Sequence, residues 1–586
     1  MQTNWKLEDI YNSTDDQSLL KDKSSVDSLV SIFRSSFKDK LSTNNLLESI
    51  LKYEQIIEII EKISSYSFLY LQTRLDDNNA LSFYQSISEW LSGIESQIVF
   101  FPIEISNLDY KSAIGNSGIY KSWVENCFKY KDHLLTNDAE EALSQKSITS
   151  NRSWIRLYDE ILTRLEFEYE GEIKGLPEIL EIANHSKSGD ERAKASKIIA
   201  SRLKDESFYI KHIYNNIILD RSVENRLRRY EKPESFRHLD NNIDSKSVDF
   251  LTDSVSEGYI KTSHKYYEIK AKLLGKEKLE YWDRNAPINL SSILNKEFDY
   301  QKGCDLVLET FGSFSDVFKD IAGDFINKSW IDVYPGKSKT SGAFSHSCSC
   351  KVHPYILLNY FGSLRDVSTL AHELGHGIHQ TLSSKNGAIL SETPITLSEV
   401  ASLFAEKMLF EKMFEKTEND LEKIDLLCSK LDDTINSIMR QIAFFKFERR
   451  AHEMRLKQEL SIEDLNQIFL ETQRECLGKH VNVDDSVGYF WTYISHFFHA
   501  PFYVYAYAFG EIFTNALYGE FKKSGPDFVL KYIEMLSKGG IDRYDTAASK
   551  FGLEPKSKEF WKNGVELIAK QISELENLCG HCSVCS

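Results

Sequence analysis

The chain has 586 residues, 41% of them hydrophobic and 27% charged, so a sizeable core is expected and global disorder is excluded. Its net charge of −17 argues against a nucleic-acid surface, because phosphate binding needs a basic face, and against adsorption to membranes. Nine cysteines, an odd number scattered through a long chain, suit reduced thiols in a cytoplasmic compartment better than a disulfide framework.

The opening "MQTNWKLEDIYNSTDD" has no basic stretch followed by an apolar run, so no secretory signal is expected there. No stretch approaches about 18 consecutive apolar residues, and no membrane-spanning helix is expected. From 46 to 75, Leu47, Ile50, Leu51, Ile56, Ile57, Ile59 and Ile60 recur at three- and four-residue steps, the spacing of a helix with one buried face. Similar patterns fill 175–230, 402–452 and 503–523, with only 10 prolines in the chain. The fold class is therefore mostly α.

Between 328 and 361 the pattern changes. "WIDVYPG" (330–336) and "VHPYILLNY" (352–360) read as short strands joined by the Gly/Ser-rich turn segment "GKSKTSGAFSHSCS". Cys348 and Cys350 in that segment read as ordinary loop residues, and Cys127, Cys304, Cys428 and Cys476 as small core or surface residues.

A helix should follow immediately, with Asp366 or Ser368 able to cap it. It carries "AHELGHGIHQ" (371–380), three of the chain's 15 histidines within ten residues. His372 and His376 are one turn apart on one helix face, so two imidazoles can share one zinc ion at about 2 Å each. Glu373 is directed beside them and can take a proton from a water that zinc has made acidic. This is the H-E-x-x-H arrangement of metallopeptidases.

Catalytic zinc takes three protein ligands and keeps one position open. His379, three residues after His376, is one candidate for the third. Glu399, in "ITLSEVASLFAE" at the start of a second helix, is favoured, because a carboxylate from another element closes the site from a new direction. His379 then serves beside the ligands or toward substrate.

Farther on, "HFFHAPFYVYAYAFG" offers His496, His499, Tyr503, Tyr505 and Tyr507 as donors to a developing oxyanion. If Pro501 begins a helix, Tyr503 and Tyr507 face one way and Tyr505 the other, toward ordinary packing. The end, "LCGHCSVCS", spaces Cys579, Cys582 and Cys585 as in thiol or metal sites, but without the strand-to-helix context that activates a thiol, and reads as an appendage.

"AHELGHGIH" followed by "SEVAS" resembles the oligoendopeptidase F group of the thimet-oligopeptidase-like zinc metallopeptidases. "GAFS" (342–345), "PYILLNY" (354–360) and "TLAHELGHGIH" (369–379) follow that family's order, as do "NWKLEDIY" (4–11), "LLGKEKLEYWDRNAP" (273–287) and "YISHFFHAPFYVYAYAFGEIF" (493–513). The resemblance implies a two-lobed helical fold with a deep channel and a small sheet beside the zinc helix. It implies one zinc ion held by His372, His376 and Glu399, Glu373 as general base, and His496, Tyr503 and Tyr507 stabilising the tetrahedral intermediate. It also implies a cytoplasmic enzyme acting on short unfolded oligopeptides, with no nucleic-acid or membrane partner, as a monomer or weak homo-oligomer. An extended peptide could add as a strand at "GAFS" or "HPYILLNY". The expected organisation is an N-terminal helical lobe (1–115), its helical extension (116–200), a catalytic zinc-peptidase domain (201–576) and a Cys-rich tail (577–586). Two alternatives are a non-catalytic peptide-binding helical protein with a structural zinc, and a thiol role for the tail.

Overall fold

The structure is a computed structural model and describes residues 3–581. Helices make up most of it, as the periodicity predicts. The chain alternates between two compact units. The first draws on residues up to 131, 295–416 and 517–553; the second on 132–294, 417–516 and 554 onward.

In the first unit, helices Gln17–Phe37, Leu46–Gln72 and Asn78–Ile98 pack on one another. Asp16 and Asp77 cap two of them by accepting from the amides of Ser18 and Asn79. Their shared core holds Val26, Val30, Phe33, Ile50, Ile56 and Phe101. Ile50, Ile56 and Ile60 occupy the buried face of Leu46–Gln72 as the spacing predicts, whereas Leu47 and Leu51 are exposed. The apolar stripe in that stretch is wider than the face that packs.

A three-stranded sheet belongs to the same unit. Tyr355–Leu357 is its central strand, parallel to Ile331–Asp332 and antiparallel to Phe344–His346. "GAFS", read from sequence as part of a turn, thus leads into an edge strand. "HPYILLNY" supplies the middle strand and has no free edge to offer. The segment at 3–11 runs along this sheet: Val333 donates its amide to the Thr3 carbonyl at 2.9 Å, and Tyr355 its hydroxyl to the Lys6 carbonyl at 2.7 Å. Trp5, Leu7, Ile10 and Tyr11 share a core with Tyr355 and Leu357.

The second unit is organised on the 39-residue helix Gly189–Leu227, capped by Ser188. Tyr214 from its buried face packs with Phe447, Trp491 and Phe498. Helices Asp420–Thr434 and Gln441–Arg455 join through a π-helical turn, Ile435–Arg440. The cysteine-rich end is helical as far as the structure describes it. Cys579 lies within helix Lys558–His581, and Cys582 and Cys585 fall outside the described residues.

Candidate active site

The motif helix runs Leu364–Ser383. Ser363, rather than Asp366 or Ser368, is its cap. The Ser363 hydroxyl accepts from the Asp366 amide at 3.2 Å, and the Asp366 carboxylate accepts from the Ser363 amide at 2.8 Å. Asp366 is thus the reciprocal member of a capping box, three residues in from the cap. Val367, Leu370, Leu374 and Ile378 bury the core side of the helix.

Two glycines inside the motif set how closely neighbours approach. A Cβ at Gly375 would meet the Ala401 carbonyl oxygen and the Ser402 Cα at 2.7 Å, and one at Gly377 would meet the Phe325 ring at 2.7 Å. Helix Val400–Lys416 therefore crosses the motif helix at a distance no other residue at 375 permits. Glu399 sits immediately before that helix, in the turn after the short helix Ile395–Ser398.

This crossing brings three donor atoms together. His372 Nε2 and His376 Nε2 are 3.2 Å apart. Glu399 Oε2 lies 3.5 Å from the first and 3.3 Å from the second. A tetrahedral ion bonded to nitrogen and oxygen at about 2.0–2.1 Å separates its ligands by about 3.3–3.4 Å, so the three edges fit zinc. Among the described residues, this is the group of His, Cys, Asp and Glu side chains arranged to hold a metal.

Neighbours hold the donors in place. The Ser402 hydroxyl donates to Glu399 Oε2 at 3.0 Å. Burial opposes the charge of Glu399, but the His376 and His372 imidazoles outweigh it and hold the carboxyl at about 2. His372 Nδ1 lies 2.5 Å from Glu406 Oε1. Burial disfavours the charged imidazole of His372, yet the Glu406 carboxylate lifts it to about 9. Glu406 was not foreseen. The signal was present in its spacing, seven residues after Glu399 and two turns along one helix face.

Glu373 is only 6% exposed. Burial pushes its carboxyl up, against the pull of the two imidazoles. His379 is buried and stands apart from the three donors. Its Nε2 lies 3.3 Å from Thr393 Oγ1, and burial pushes its imidazole down to about 4. One residue farther, Gln380 clamps the edge strand: Ser345 Oγ donates to Gln380 Oε1 at 2.8 Å, and Gln380 Nε2 donates to the Ser345 carbonyl at 3.2 Å. Burial raises the thiols of Cys348 and Cys350 to about 12 and about 11, leaving both protonated near neutrality.

In the second unit, His496 belongs to the short helix His496–His499, and the next helix begins at Tyr505. Pro501 does not start that helix, because Phe502 takes a left-handed φ of 60° and breaks the path. The three aromatics singled out by sequence nonetheless meet. The Tyr503 and Tyr507 rings are 5.4 Å apart, and His496 Nε2 lies 3.0 Å from the Tyr507 hydroxyl. Tyr505 turns inward and bonds His238 and Asn241 at 3.0 and 2.8 Å. His499 pairs with Asp159 instead.

The profile of peptidase family M3 matches residues 182–567, and that described as Oligopeptidase F matches 113–167. The chain is 27% identical to an oligoendopeptidase F homolog of Borreliella burgdorferi over 572 residues, 93% of each chain. It is 23% identical to oligopeptidase PepF of Bacillus subtilis over 608 residues, covering 98% of this chain and 87% of the relative. Among solved structures, a Chlamydophila abortus protein superposes with a TM-score of 0.84 at 22% identity over 98% of both chains. Oligoendopeptidase-F of Enterococcus faecium does so with 0.72 at 18% identity, over 97% of this chain and all of that one. These last two likenesses establish the fold. With the M3 profile spanning well over half its length, the chain belongs to peptidase family M3 and is a metallopeptidase.

Proposed function

We propose that this enzyme is a zinc-dependent oligoendopeptidase that hydrolyses internal bonds of short unfolded peptides. The observation that carries the reading is the triangle of His372 Nε2, His376 Nε2 and Glu399 Oε2, with edges of 3.2–3.5 Å. Those three residues would hold one Zn²⁺. When bound, the ion polarises the scissile carbonyl and acidifies a water.

The remaining steps fall to side chains. Glu373, a buried carboxylate with a raised pKa, takes the proton of the attacking water and delivers it to the departing amine. Glu406 fixes the His372 ring so that Nε2 is the nitrogen offered as ligand. Tyr503, Tyr507 and His496 donate to the carbonyl oxygen as it gains charge. Their mutual contacts, and the 37% exposure of Tyr507, support donors held in place yet open to a ligand. The clamped strand Phe344–His346 is the edge along which an extended peptide would add. Cys127, Cys304, Cys348, Cys350, Cys428 and Cys476 are thiols, which fits a cytoplasmic setting.

The test pairs metal analysis of the purified protein with turnover of internally quenched peptides by Glu373→Gln. About one zinc per chain in both proteins is expected, with turnover lowered by about 10³-fold or more in the variant. Wild-type cleavage by Glu373→Gln would overturn the assignment of the base.

A further inference from the structure

The second unit has a cavity of about 400 Å³ where the long helix Gly189–Leu227 ends. Arg229 takes a left-handed φ of 62° and turns the chain back, and the Tyr230 amide donates to the Asn225 carbonyl at 2.8 Å. Helix Gln441–Arg455 contributes His452 to the lining. The volume falls within the range of small-molecule sites, about 300–1,000 Å³. None of the lining residues belongs to the metal-ligand triangle or to the His496, Tyr503 and Tyr507 group.

The lining combines three chemistries. Ile218, Pro233 and Leu456 give it an apolar wall. Arg226, Arg229 and Glu231 are exposed and bring charge of both signs. Among the described residues, Arg226 and Glu231 have no ion-pair partner, and Arg229 donates from Nη2 to the Leu134 carbonyl at 3.4 Å. Two further lining residues, Asn225 at 7% and His452 at 2% exposure, carry buried atoms without a partner, Oδ1 and Nε2.

Those two atoms are left over for definite reasons. Asn225 Nδ2 donates to the Pro233 carbonyl at 2.9 Å, which fixes the amide with Oδ1 as the spare acceptor. Burial depresses His452 to about 3, so its ring is neutral and can serve as donor at one nitrogen and acceptor at the other. Unpaired buried polar atoms are costly, and two of them on one cavity point to a ligand. Water could pair with either atom, but it gains nothing from the apolar wall and leaves the free charges as they are.

The pattern specifies the ligand. An ammonium suits Glu231, Asn225 Oδ1 and the carbonyl end of the 39-residue helix, where the dipole is negative. A carboxylate suits the guanidiniums of Arg226 and Arg229. An amide between the two charges suits His452 Nε2. A free amino acid lacks that amide, and a fatty acid lacks the ammonium. We infer that this cavity binds a dipeptide with apolar side chains, free at both ends. His452 also packs on Phe502 at 4.5 Å, and Phe502 immediately precedes Tyr503. An occupied cavity would thus bear on the aromatic segment from within the same unit.

The full-length protein is titrated with leucylleucine by isothermal calorimetry. Saturable binding of about one peptide per chain is expected, with free leucine at least about tenfold weaker and the N-acetylated, C-amidated dipeptide silent. Arg226→Gln and Glu231→Gln should each weaken binding by about 5- to 10-fold, the effect of one lost bond to a charged partner. Both side chains are exposed, and turnover of internally quenched peptides by either variant should match the wild type. Absence of saturable heat, equal binding of the blocked dipeptide, or unchanged affinity in both variants would overturn the site. So would binding that vanishes on zinc chelation while both variants retain it, since the peptide would then occupy the metal centre.

Discussion

Glu448 Oε1 accepts the backbone amide of Phe502 at 2.7 Å, inside a core from which Glu448 is wholly excluded from solvent. Phe502 holds the left-handed φ that interrupts the chain between Pro501 and Tyr503. Arg237 grips the same turn by donating from Nε to the Pro501 carbonyl at 3.1 Å. Burial raises Glu448 well above the usual carboxyl range, and it serves the turn through one oxygen. Glu448→Gln preserves that acceptor and should turn over peptides at close to the wild-type rate. Glu448→Ala should lower kcat by about tenfold or more through misplacement of Tyr503 and Tyr507. Steady-state kinetics of both variants, with zinc content confirmed, make the comparison.

Glu406 should set metal affinity without touching the metal. Replacing it by alanine frees the His372 ring to rotate and removes the charge behind Nδ1. A loss of about 10- to 100-fold in zinc affinity is expected, read by competition against a chelator of known strength. Activity at saturating zinc should recover in large part.

Gly375→Ala tests the helix crossing. The added methyl meets the backbone of Ala401 and Ser402 at 2.7 Å, and backbone cannot rotate away as a side chain can. A stability loss of about 1–3 kcal/mol is expected by thermal or urea unfolding. Zinc affinity should fall as well, because the displaced helix carries Glu399 with it.

Stability should depend on pH in two opposing ways. Burial depresses His346 to about 4 and His452 to about 3, from an ordinary 6.5. Between those values the unfolded chain binds more protons than the folded one, so stability falls as pH drops from about 6.5 toward 4. Glu61 runs the other way: burial first, then Glu392, Glu58 and Glu54, lift it from 4.5 to about 8. Its protonated form is favoured in the fold, and stability is lost as pH rises from about 4.5 through 8. Glu61→Gln should raise the melting temperature by a few degrees at pH 8.5 and change little at pH 4. His346→Gln should flatten the acid slope in urea titrations.

The helices and the donor triangle were legible because each depends on local spacing. His372 and His376 need only one helical turn, and Glu399 only a return by the next element. Phe344–His346 was missed as a strand because its Gly/Ser setting reads as a turn, while its pairing with Tyr355–Leu357 is supplied from outside the segment. The cap at Ser363 was missed because two nearer polar residues competed with it. Gly375 and Gly377 carry no local signal at all, since their reason lies in Ala401, Ser402 and Phe325. Pro501 misled because the next residue takes a positive φ and gives its amide to Glu448, distant in sequence.

Lys6 and Tyr355, joined through hydroxyl and carbonyl, stand 349 residues apart in the chain. On the ribosome, Trp5, Leu7, Ile10 and Tyr11 are made long before the strand that buries them. They must wait, apolar and unpaired, until Tyr355 and Leu357 have left the exit tunnel. The motif histidines follow almost at once, so the sheet and the motif helix come within reach of each other in a single episode of synthesis. A chain released before that episode would leave Trp5, Leu7, Ile10 and Tyr11 without the strand that buries them.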